Sequence, residues 1–169
     1  THCTSSAASD VYKRQNKIVV VVSAMGGETN RLVDLAKAFG DDPDKREFDA
    51  LVSTGETVSS ALLTMALHSK GIKAKSFSAS QISMRTTSSY SKAKILDVDA
   101  KKIMDVIDSD TIPIITGFQG VTEGGDVTTL GRGGSDTTAV AIAAQIDAVR
   151  CDIYTDVDGI FTTDPGVVP

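Results

Sequence analysis

The chain has 169 residues, of which 41% are hydrophobic and 5% aromatic, and its formal net charge is −5. This length fits one globular domain with its own core, and the scattered lysines form no basic stripe with interleaved aromatic residues, which argues against nucleic-acid binding. The apolar runs near the start, of which 18–22 is the longest, are too short to cross a bilayer, so we expect a cytoplasmic protein without a membrane partner.

The cysteines and histidines do not indicate a metal site. Cys3 and Cys151 form no CxxC pair, and His2 and His68 have no ligand-like spacing to either cysteine. We therefore expect neither a zinc site nor a disulfide scaffold, and we interpret Cys151 as a small buried hydrophobic residue.

Residues 1–15 are rich in Ser, Thr and Ala and have no hydrophobic period. We interpret them as a disordered or non-native tail, because part of this segment resembles translated adapter sequence. The predicted domain then spans residues 16–169.

The first half of this domain predicts a buried strand at KIVVVVS, followed by a glycine turn. A helix carrying Leu32, Leu35, Ala36 and Phe39 ends at Gly40, and DDPDKRE reads as a polar loop. A second helical stretch runs from Phe48 to Gly71, with a pause at STGET.

The second half predicts a half-exposed strand at IKAKSFSA, a short helix at residues 100–107 and a strand at TIPIITGF. A hairpin at VTEGGDVTT, a helix ending near Ala148, a strand at CDIYT and a loop at DVDGIFTTDP follow. Strands that alternate with helices indicate an α/β fold with a largely parallel sheet.

The turn GRGGSDTT is typical of an anion site. Gly131, Gly133 and Gly134 allow backbone N–H groups to converge, and the helix that begins near Ser135 adds its positive end. Arg132 can bind a carboxylate or phosphate through two hydrogen bonds, and Asp136 can hold Mg²⁺ or orient a lysine. Alternatively, Ser135 or Asp136 caps the helix and the glycines only form a tight turn. The turn matches neither a P-loop nor a dinucleotide fingerprint.

Two further segments carry polar groups that suit a ligand. After the first strand, a second donor loop contains Ser23, Gly26, Gly27 and Thr29. Glu56 lies in an apolar helical context, where a buried carboxylate needs a cation such as a ligand ammonium group, unless it is simply a surface glutamate at a helix junction.

The last loop offers hydroxyls and carboxylates to a ribose or a metal, or else forms a series of Asx turns. Its candidate residues are Thr155, Asp156, Asp158 and Asp164.

Five blocks in order resemble signatures of the aspartate kinases in the amino acid kinase family: VVVVSAMGGETNRLVDLA, VSTGETVSSALLTMAL, GFQGV, TTLGRGGSDTTAVAIAA and IYTDVDGIFTTDP. The resemblance implies a three-layer αβα sandwich with a largely parallel central sheet, the carbamate kinase-like fold. It also implies ATP-dependent phosphorylation of the L-aspartate side-chain carboxylate to 4-phospho-L-aspartate, the first step of lysine, threonine and methionine biosynthesis.

The resemblance further implies a role for each site residue. Arg132 would bind a substrate carboxylate, Glu56 would bind its ammonium group, and Thr29 and Ser135 would add hydrogen bonds. Asp136 would orient the catalytic lysine and help to place Mg²⁺. The ATP-binding residues would be Ser23, Gly26, Gly27, Gly133, Gly134, Thr155, Asp156, Asp158, Thr162 and Asp164.

Members of this family begin with a strand that ends in a KFGG-type motif, and they continue past the last loop into more of the nucleotide site and paired ACT domains. We therefore expect a fragment, weakly active or inactive, that lacks the catalytic lysine, the first strand, the C-terminal part and the ACT domains. The parent enzyme would be a homo-oligomer or pair with a regulatory subunit.

Two alternatives remain. One is another member of the same family, of the glutamate 5-kinase or acetylglutamate kinase type. The other is a non-catalytic module that binds a small ligand on the same fold.

Overall fold

A computed structural model of the chain describes residues 17–154. These residues form seven strands and five helices. In chain order they are β1 (Val20–Val22), α1 (Glu28–Lys37), α2 (Lys45–Val52), α3 (Thr54–Ser69), β2 (Ala74–Phe77), β3 (Arg85–Thr86), β4 (Ile95–Asp97), α4 (Ala100–Asp108), β5 (Ile112–Thr116), β6 (Gln119–Val121), β7 (Val127–Thr129) and α5 (Gly134–Gln145).

The first sheet is parallel and has the strand order β1-β5-β2. Ile115 of β5 lies beside Val21 of β1 and Phe77 of β2, which fixes the register on both sides. Central parallel strands are covered on both faces, and the four residues from Pro113 to Thr116 are indeed buried. This sheet confirms the predicted α/β class and the strands predicted at TIPIITGF and IKAKSFSA.

Helices cover this sheet on both faces. Ile115 belongs to a buried cluster with Ile103 and Ile107 of α4 and Ile142 of α5, and alternate residues of a strand point to opposite faces. The neighbouring Ile114 is fully buried outside that cluster, and α3 packs on the same three strands. The result is the three-layer arrangement predicted above.

A second sheet has the order β4-β3-β6-β7. Its hairpin pairs Gln119 with Thr129 and Val121 with Val127, as predicted for VTEGGDVTT. Strands β3 and β4 were not predicted from the sequence, because two or three residues are too few to show a period.

Several helix boundaries differ from the sequence-based prediction. α1 ends at Lys37, before the predicted end at Gly40, and α5 ends at Gln145, before Ala148. α2 begins at Lys45, inside the segment predicted as a loop, because the Asp44 side chain accepts a hydrogen bond from the N–H of Glu47 at 3.1 Å and caps the helix. The expected pause at STGET is a single residue, Ser53, between α2 and the start of α3 at Thr54.

At the C-terminal end of the described range, residues 151–154 of the predicted strand CDIYT pair with no strand among residues 17–154. Cys151 is exposed, so its interpretation as a buried hydrophobic residue was wrong. The tail proposed for residues 1–15 and the loop from Thr155 onward lie outside the described residues.

By length and composition alone, Lys45–Ser69 is apolar enough to cross a membrane. In the fold this segment is two helices, whose buried side chains include Asp49 and Glu56, and α3 packs on the parallel sheet. The same length and composition are found in core helices of globular domains.

Candidate functional site

The candidate site is a cleft at the carboxyl edge of the parallel sheet. β1 and β5 run in the same direction, so the segments after Val22 and Thr116 emerge at one edge. The start of α3 and the turn between β7 and α5 complete the walls. The cleft has a volume of about 320 Å³, and its lining residues are Ser23, Ala24, Thr29, Glu56, Phe118, Gly131, Arg132, Gly133, Gly134, Ser135 and Asp136.

Two helices begin at this cleft without a side-chain cap. Gly27 is the N-cap of α1 with φ 79°, and Gly133 is the N-cap of α5 with φ 72°, a left-handed conformation that glycine adopts without steric cost. The N–H groups of both first turns are therefore not occupied by capping side chains. Together with the positive ends of the helix dipoles, they suit an anionic ligand such as phosphate.

Away from the cleft, helices are capped in the ordinary way. Asp44 caps α2, and Asp99 caps α4 by accepting a hydrogen bond from the N–H of Lys102 at 3.3 Å. The alternative in which Ser135 or Asp136 caps α5 is wrong, since neither side chain makes a capping hydrogen bond there.

Glu56 is buried, with 3% of its surface exposed, in the first turn of α3. Its Oε1 accepts a hydrogen bond from the N–H of Ala24 at 3.2 Å, whereas its buried Oε2 has no hydrogen-bond partner among residues 17–154. Burial raises the pKa of Glu56 to about 7, although hydrogen bonds from backbone N–H groups act to lower it. The alternative of a surface glutamate is therefore wrong.

Close backbone contacts hold the walls of the cleft together. A Cβ on Gly55 would come within 2.8 Å of the Ala24 Cβ, so this glycine lets α3 approach the loop after β1. A Cβ on Gly134 would lie 2.7 Å from the Phe118 ring, and Phe118 itself has φ 66°. The N–H of Phe118 donates to Thr138 Oγ1 at 3.2 Å, which fixes α5 against the end of β5.

Arg132 and Asp136 are exposed at the rim of the cleft, and Arg132 makes no ion pair with any residue between 17 and 154. Within the same range, no group of three His, Cys, Asp or Glu side chains could hold a metal ion by itself. Mg²⁺ is usually held by one or two carboxylates together with substrate phosphates, so Asp136 fits as a single protein donor to a nucleotide-bound ion.

The cleft brings together most of the site residues predicted from the sequence: Ser23, Thr29, Glu56, Arg132, Gly133, Gly134, Ser135 and Asp136. Gly26 and Gly27 lie in the adjoining loop but do not line the cleft. The remaining predicted residues lie outside the described range: Thr155, Asp156, Asp158, Thr162 and Asp164. Ala24 and Phe118 were not predicted as site residues, although the block GFQGV was the available signal for Phe118.

Comparison with known proteins agrees with this fold. A model of the amino acid kinase family matches residues 4–169. The chain is 57% identical over 152 residues to the aspartate kinase of Pseudomonas putida, covering 90% of the chain and 37% of that protein. It is 53% identical over 167 residues to the aspartokinase of Geobacillus stearothermophilus, covering 99% of the chain and 41% of that protein. The chain thus spans less than half the length of these relatives.

Solved structures give the same result. Escherichia coli aspartokinase III in complex with aspartate and ADP matches with a TM-score of 0.80 at 28% identity, covering 96% of the chain and 48% of that structure. The aspartate kinase of Synechocystis matches with a TM-score of 0.73 at 42% identity, covering 97% of the chain and 27% of that structure. On the match of the family model over residues 4–169, the chain belongs to the amino acid kinase family.

Proposed function

We propose that the chain carries the amino-acid site and part of the phosphate site of an aspartate kinase. The observation that carries this proposal is the buried Oε2 of Glu56, which lacks a hydrogen-bond partner in the described part of the chain and lies in a cleft that also contains Arg132. A carboxylate and a guanidinium in one cleft complement the ammonium and carboxylate groups of an α-amino acid. Relatives more than half identical to the chain are named aspartate kinases.

In this proposal the substrate is held at several points. Its ammonium group donates to Glu56, its α-carboxylate is bound by Arg132, and the hydroxyls of Thr29 and Ser135 supply further hydrogen bonds at the same cleft. A ligand ammonium would replace the solvation that Glu56 loses on burial, and it would hold this carboxylate in its ionised form.

The triphosphate of ATP would lie against the uncapped starts of α1 and α5. Gly26 and Gly27 precede α1 and Gly133 and Gly134 begin α5, so the backbone can approach the phosphates without a Cβ in the way. Ser23 adds a hydroxyl at this edge. We propose that the loop with Thr155, Asp156, Asp158, Thr162 and Asp164 completes the nucleotide site.

The reaction is a transfer of the γ-phosphoryl group. An oxygen of the aspartate side chain forms a bond to the γ-phosphorus, and the bond from that phosphorus to the β-phosphate oxygen breaks, which releases ADP. An aspartate side chain is already ionised at neutral pH, so this step needs no general base. Mg²⁺ bound with the nucleotide would neutralise charge on the phosphate oxygens, and Asp136 would be its protein donor.

The proposal is tested by calorimetry with L-aspartate and, separately, by ATP-dependent formation of aspartyl hydroxamate. Because the chain spans less than half of its relatives, turnover is measured on the 169-residue chain and on a chimera. In the chimera, the chain replaces the segment that it matches in the Geobacillus stearothermophilus aspartokinase.

We expect aspartate to bind and the chimera to phosphorylate it. Turnover of glutamate in preference to aspartate would indicate one of the other carboxylate kinases instead. Binding of aspartate without turnover by the chimera would favour the non-catalytic module. Absence of aspartate binding, with the fold intact by circular dichroism, would overturn the proposal.

A further inference from the structure

The most completely enclosed carboxylate of the described residues lies outside the cleft. Asp49 of α2 is fully buried, and it forms no ion pair with any residue between 17 and 154. Oδ2 accepts from the N–H of Ser91 and the N–H of Thr129, both at 2.8 Å. Oδ1 accepts from the hydroxyls of the same two residues, both at 2.9 Å. We call Asp49, Ser91 and Thr129 the Asp49 cluster.

The two donors hold the chain where it enters the Arg132 turn. Thr129 ends β7, three residues before Arg132, and its carbonyl accepts from the N–H of Ala93 at 2.9 Å. Ser91 has φ 64°, and its carbonyl oxygen would lie 3.2 Å from a Cβ on Gly131. The Asp49 cluster therefore fixes both the end of β7 and the loop that packs on the first residue of the turn.

The same cluster reaches the start of α3. Asp49 lies in the last turns of α2, and Ser53 joins this helix to the segment that carries Glu56. The carbonyl of Ser53 accepts from Nε2 of Gln119 at 2.9 Å, and Gln119 is the residue of β6 that lies opposite Thr129. Two buried side chains thus tie the junction of α2 and α3 to one pair of residues in the second sheet.

We propose that Asp49 is a positioning residue for the amino-acid site: through Ser91 and Thr129 it fixes the Arg132 turn relative to Glu56, and so sets the spacing of the two groups that bind the substrate. This role rests on the proposed function, because the spacing matters only if one ligand contacts both groups. Errors in placement of about 1 Å cost binding or catalysis as much as roughly a hundredfold.

The arrangement of the four donors predicts which substitutions the cluster tolerates. An asparagine can keep its carbonyl oxygen on the two backbone N–H groups and turn its amide toward the two hydroxyls, which can accept as well as donate. An alanine leaves both backbone N–H groups buried without a partner. Asp49→Asn should therefore preserve the turn, whereas Asp49→Ala should release it.

The test compares Asp49→Ala, Asp49→Asn and Thr129→Val in the full chain. Thr129→Val removes one hydroxyl and keeps the backbone N–H, so it reports on the cluster even if Asp49→Ala does not fold. Ile103→Ala is the control for general destabilisation. Ile103 belongs to α4 and is buried in the hydrophobic core between α4, α5 and the parallel sheet, on the face of the sheet opposite to α3. Amide hydrogen exchange in residues 128–136 and the Kd values for L-aspartate and ADP are measured for each variant.

For Asp49→Ala we expect exchange in residues 128–136 to accelerate about tenfold or more. The Kd for aspartate should rise at least about tenfold, with a smaller change for ADP. Asp49→Asn should stay within about threefold of the wild type in both measurements, and Thr129→Val should raise the aspartate Kd by about threefold. Ile103→Ala should leave the ratio of the two Kd values unchanged.

Unchanged exchange in residues 128–136 of Asp49→Ala, or of Thr129→Val if Asp49→Ala is unfolded, would overturn the positioning role. Equal loss of aspartate and ADP binding in the variants would also overturn it, because a purely structural residue would produce that result. If the wild type binds ADP but not aspartate, the proposed function fails, and the exchange measurement still decides whether Asp49 fixes the turn.

Discussion

Two buried carboxylates on consecutive helices are treated differently by the same fold. Asp49 receives four hydrogen bonds, all from protein groups, and both of its oxygens are satisfied. Glu56 receives a hydrogen bond from Ala24 on one oxygen, while the other is buried and finds no partner within residues 17–154. Each lies within a helix that packs in the interior, so burial alone does not explain the difference.

Under the proposed function, the difference separates a structural group from a binding group. A buried acceptor without a partner costs free energy, so an unsatisfied oxygen needs an explanation such as a ligand that supplies the missing donor. Asp49 is satisfied by protein groups, whereas Oε2 of Glu56 would be satisfied by the ammonium group of the substrate.

The largest expected effect is the loss of stability on removal of the satisfied carboxylate. Asp49→Ala leaves two backbone N–H groups and two hydroxyls without their acceptor, so the free energy of unfolding should fall by about 3–4 kcal/mol. Asp49→Asn should cost only about 1 kcal/mol, because an amide can satisfy the same groups. Urea denaturation followed by circular dichroism measures the free energy of unfolding of both variants. Equal losses of stability in Asp49→Ala and Asp49→Asn would contradict a role for the four hydrogen bonds to Asp49.

Removal of the unsatisfied carboxylate of Glu56 should raise the free energy of unfolding, whereas removal of Asp49 lowers it. The pKa of Glu56 is raised to about 7 in the folded chain, so its contribution to stability is present below about pH 4.5 and is lost as the pH rises through 7. Glu56→Gln removes this loss and should make the chain more stable by about 3 kcal/mol at pH 8. At pH 5, well below 7, the difference should fall below about 1 kcal/mol.

Glu56→Gln should also abolish aspartate binding, so its stability and its aspartate affinity are measured together. Urea denaturation at pH 5 and pH 8 gives the change in stability, and calorimetry at pH 8 gives the change in affinity. If Glu56→Gln is less stable than the wild type at pH 8, then Glu56 makes stabilising contacts in the folded chain, and its difference from Asp49 does not hold.

The pH also changes the affinity of the intact site. A ligand ammonium binds the ionised form of Glu56, so lowering the pH below the pKa of about 7 should weaken aspartate binding. Between pH 8 and pH 6 we expect the Kd for aspartate to rise about tenfold. In Glu56→Gln, any residual aspartate binding should lack this dependence. If the Kd of the wild type for aspartate does not change between pH 8 and pH 6, the protonation state of Glu56 does not affect aspartate binding.

The smallest expected effect on stability comes from displacing Ala24, whose N–H donates to Oε1 of Glu56. In Gly55→Ala, the new Cβ lies 2.8 Å from the Ala24 Cβ, so the loop that donates to Glu56 must shift. The gain in helix propensity offsets part of the strain, and the net change in stability should stay below about 1 kcal/mol. Aspartate affinity should fall by about threefold or more. Gly124→Ala, where the nearest atom is 3.7 Å away, is the control and should change neither.

The elements that could be predicted from the sequence are those with a clear local hydrophobic pattern and those at glycine-rich turns. β5 lies within the strand predicted at TIPIITGF, and α1 lies within the helix predicted before Gly40, although it ends at Lys37 and leaves Phe39 exposed. Apart from Ala24 and Phe118, the residues that line the cleft were among those predicted from the two glycine-rich turns and from the apolar context of Glu56.

The sequence could not predict contacts that join distant segments. Asp49 resembles any polar residue of an amphipathic helix, and its partners Ser91 and Thr129 lie far along the chain in short, irregular elements. β3 and β4 escaped prediction for the same reason, since their pairing depends on neighbours rather than on local period. Phe118 has φ 66°, and its carbonyl accepts from the N–H of Leu130 while its N–H donates to Thr138 of α5, contacts with residues that lie further along the chain.

The glycine N-caps of α1 and α5 have a consequence for how this site tolerates mutation. The donors that they expose belong to the main chain, and every amino acid except proline supplies the same N–H group. Replacement of side chains along these first turns therefore leaves the attraction for a phosphate largely in place. Under the proposed function, selectivity for the amino acid depends on single side chains such as Glu56 and Arg132. Substitutions there would change which amino acid binds and leave these main-chain contacts to the nucleotide in place.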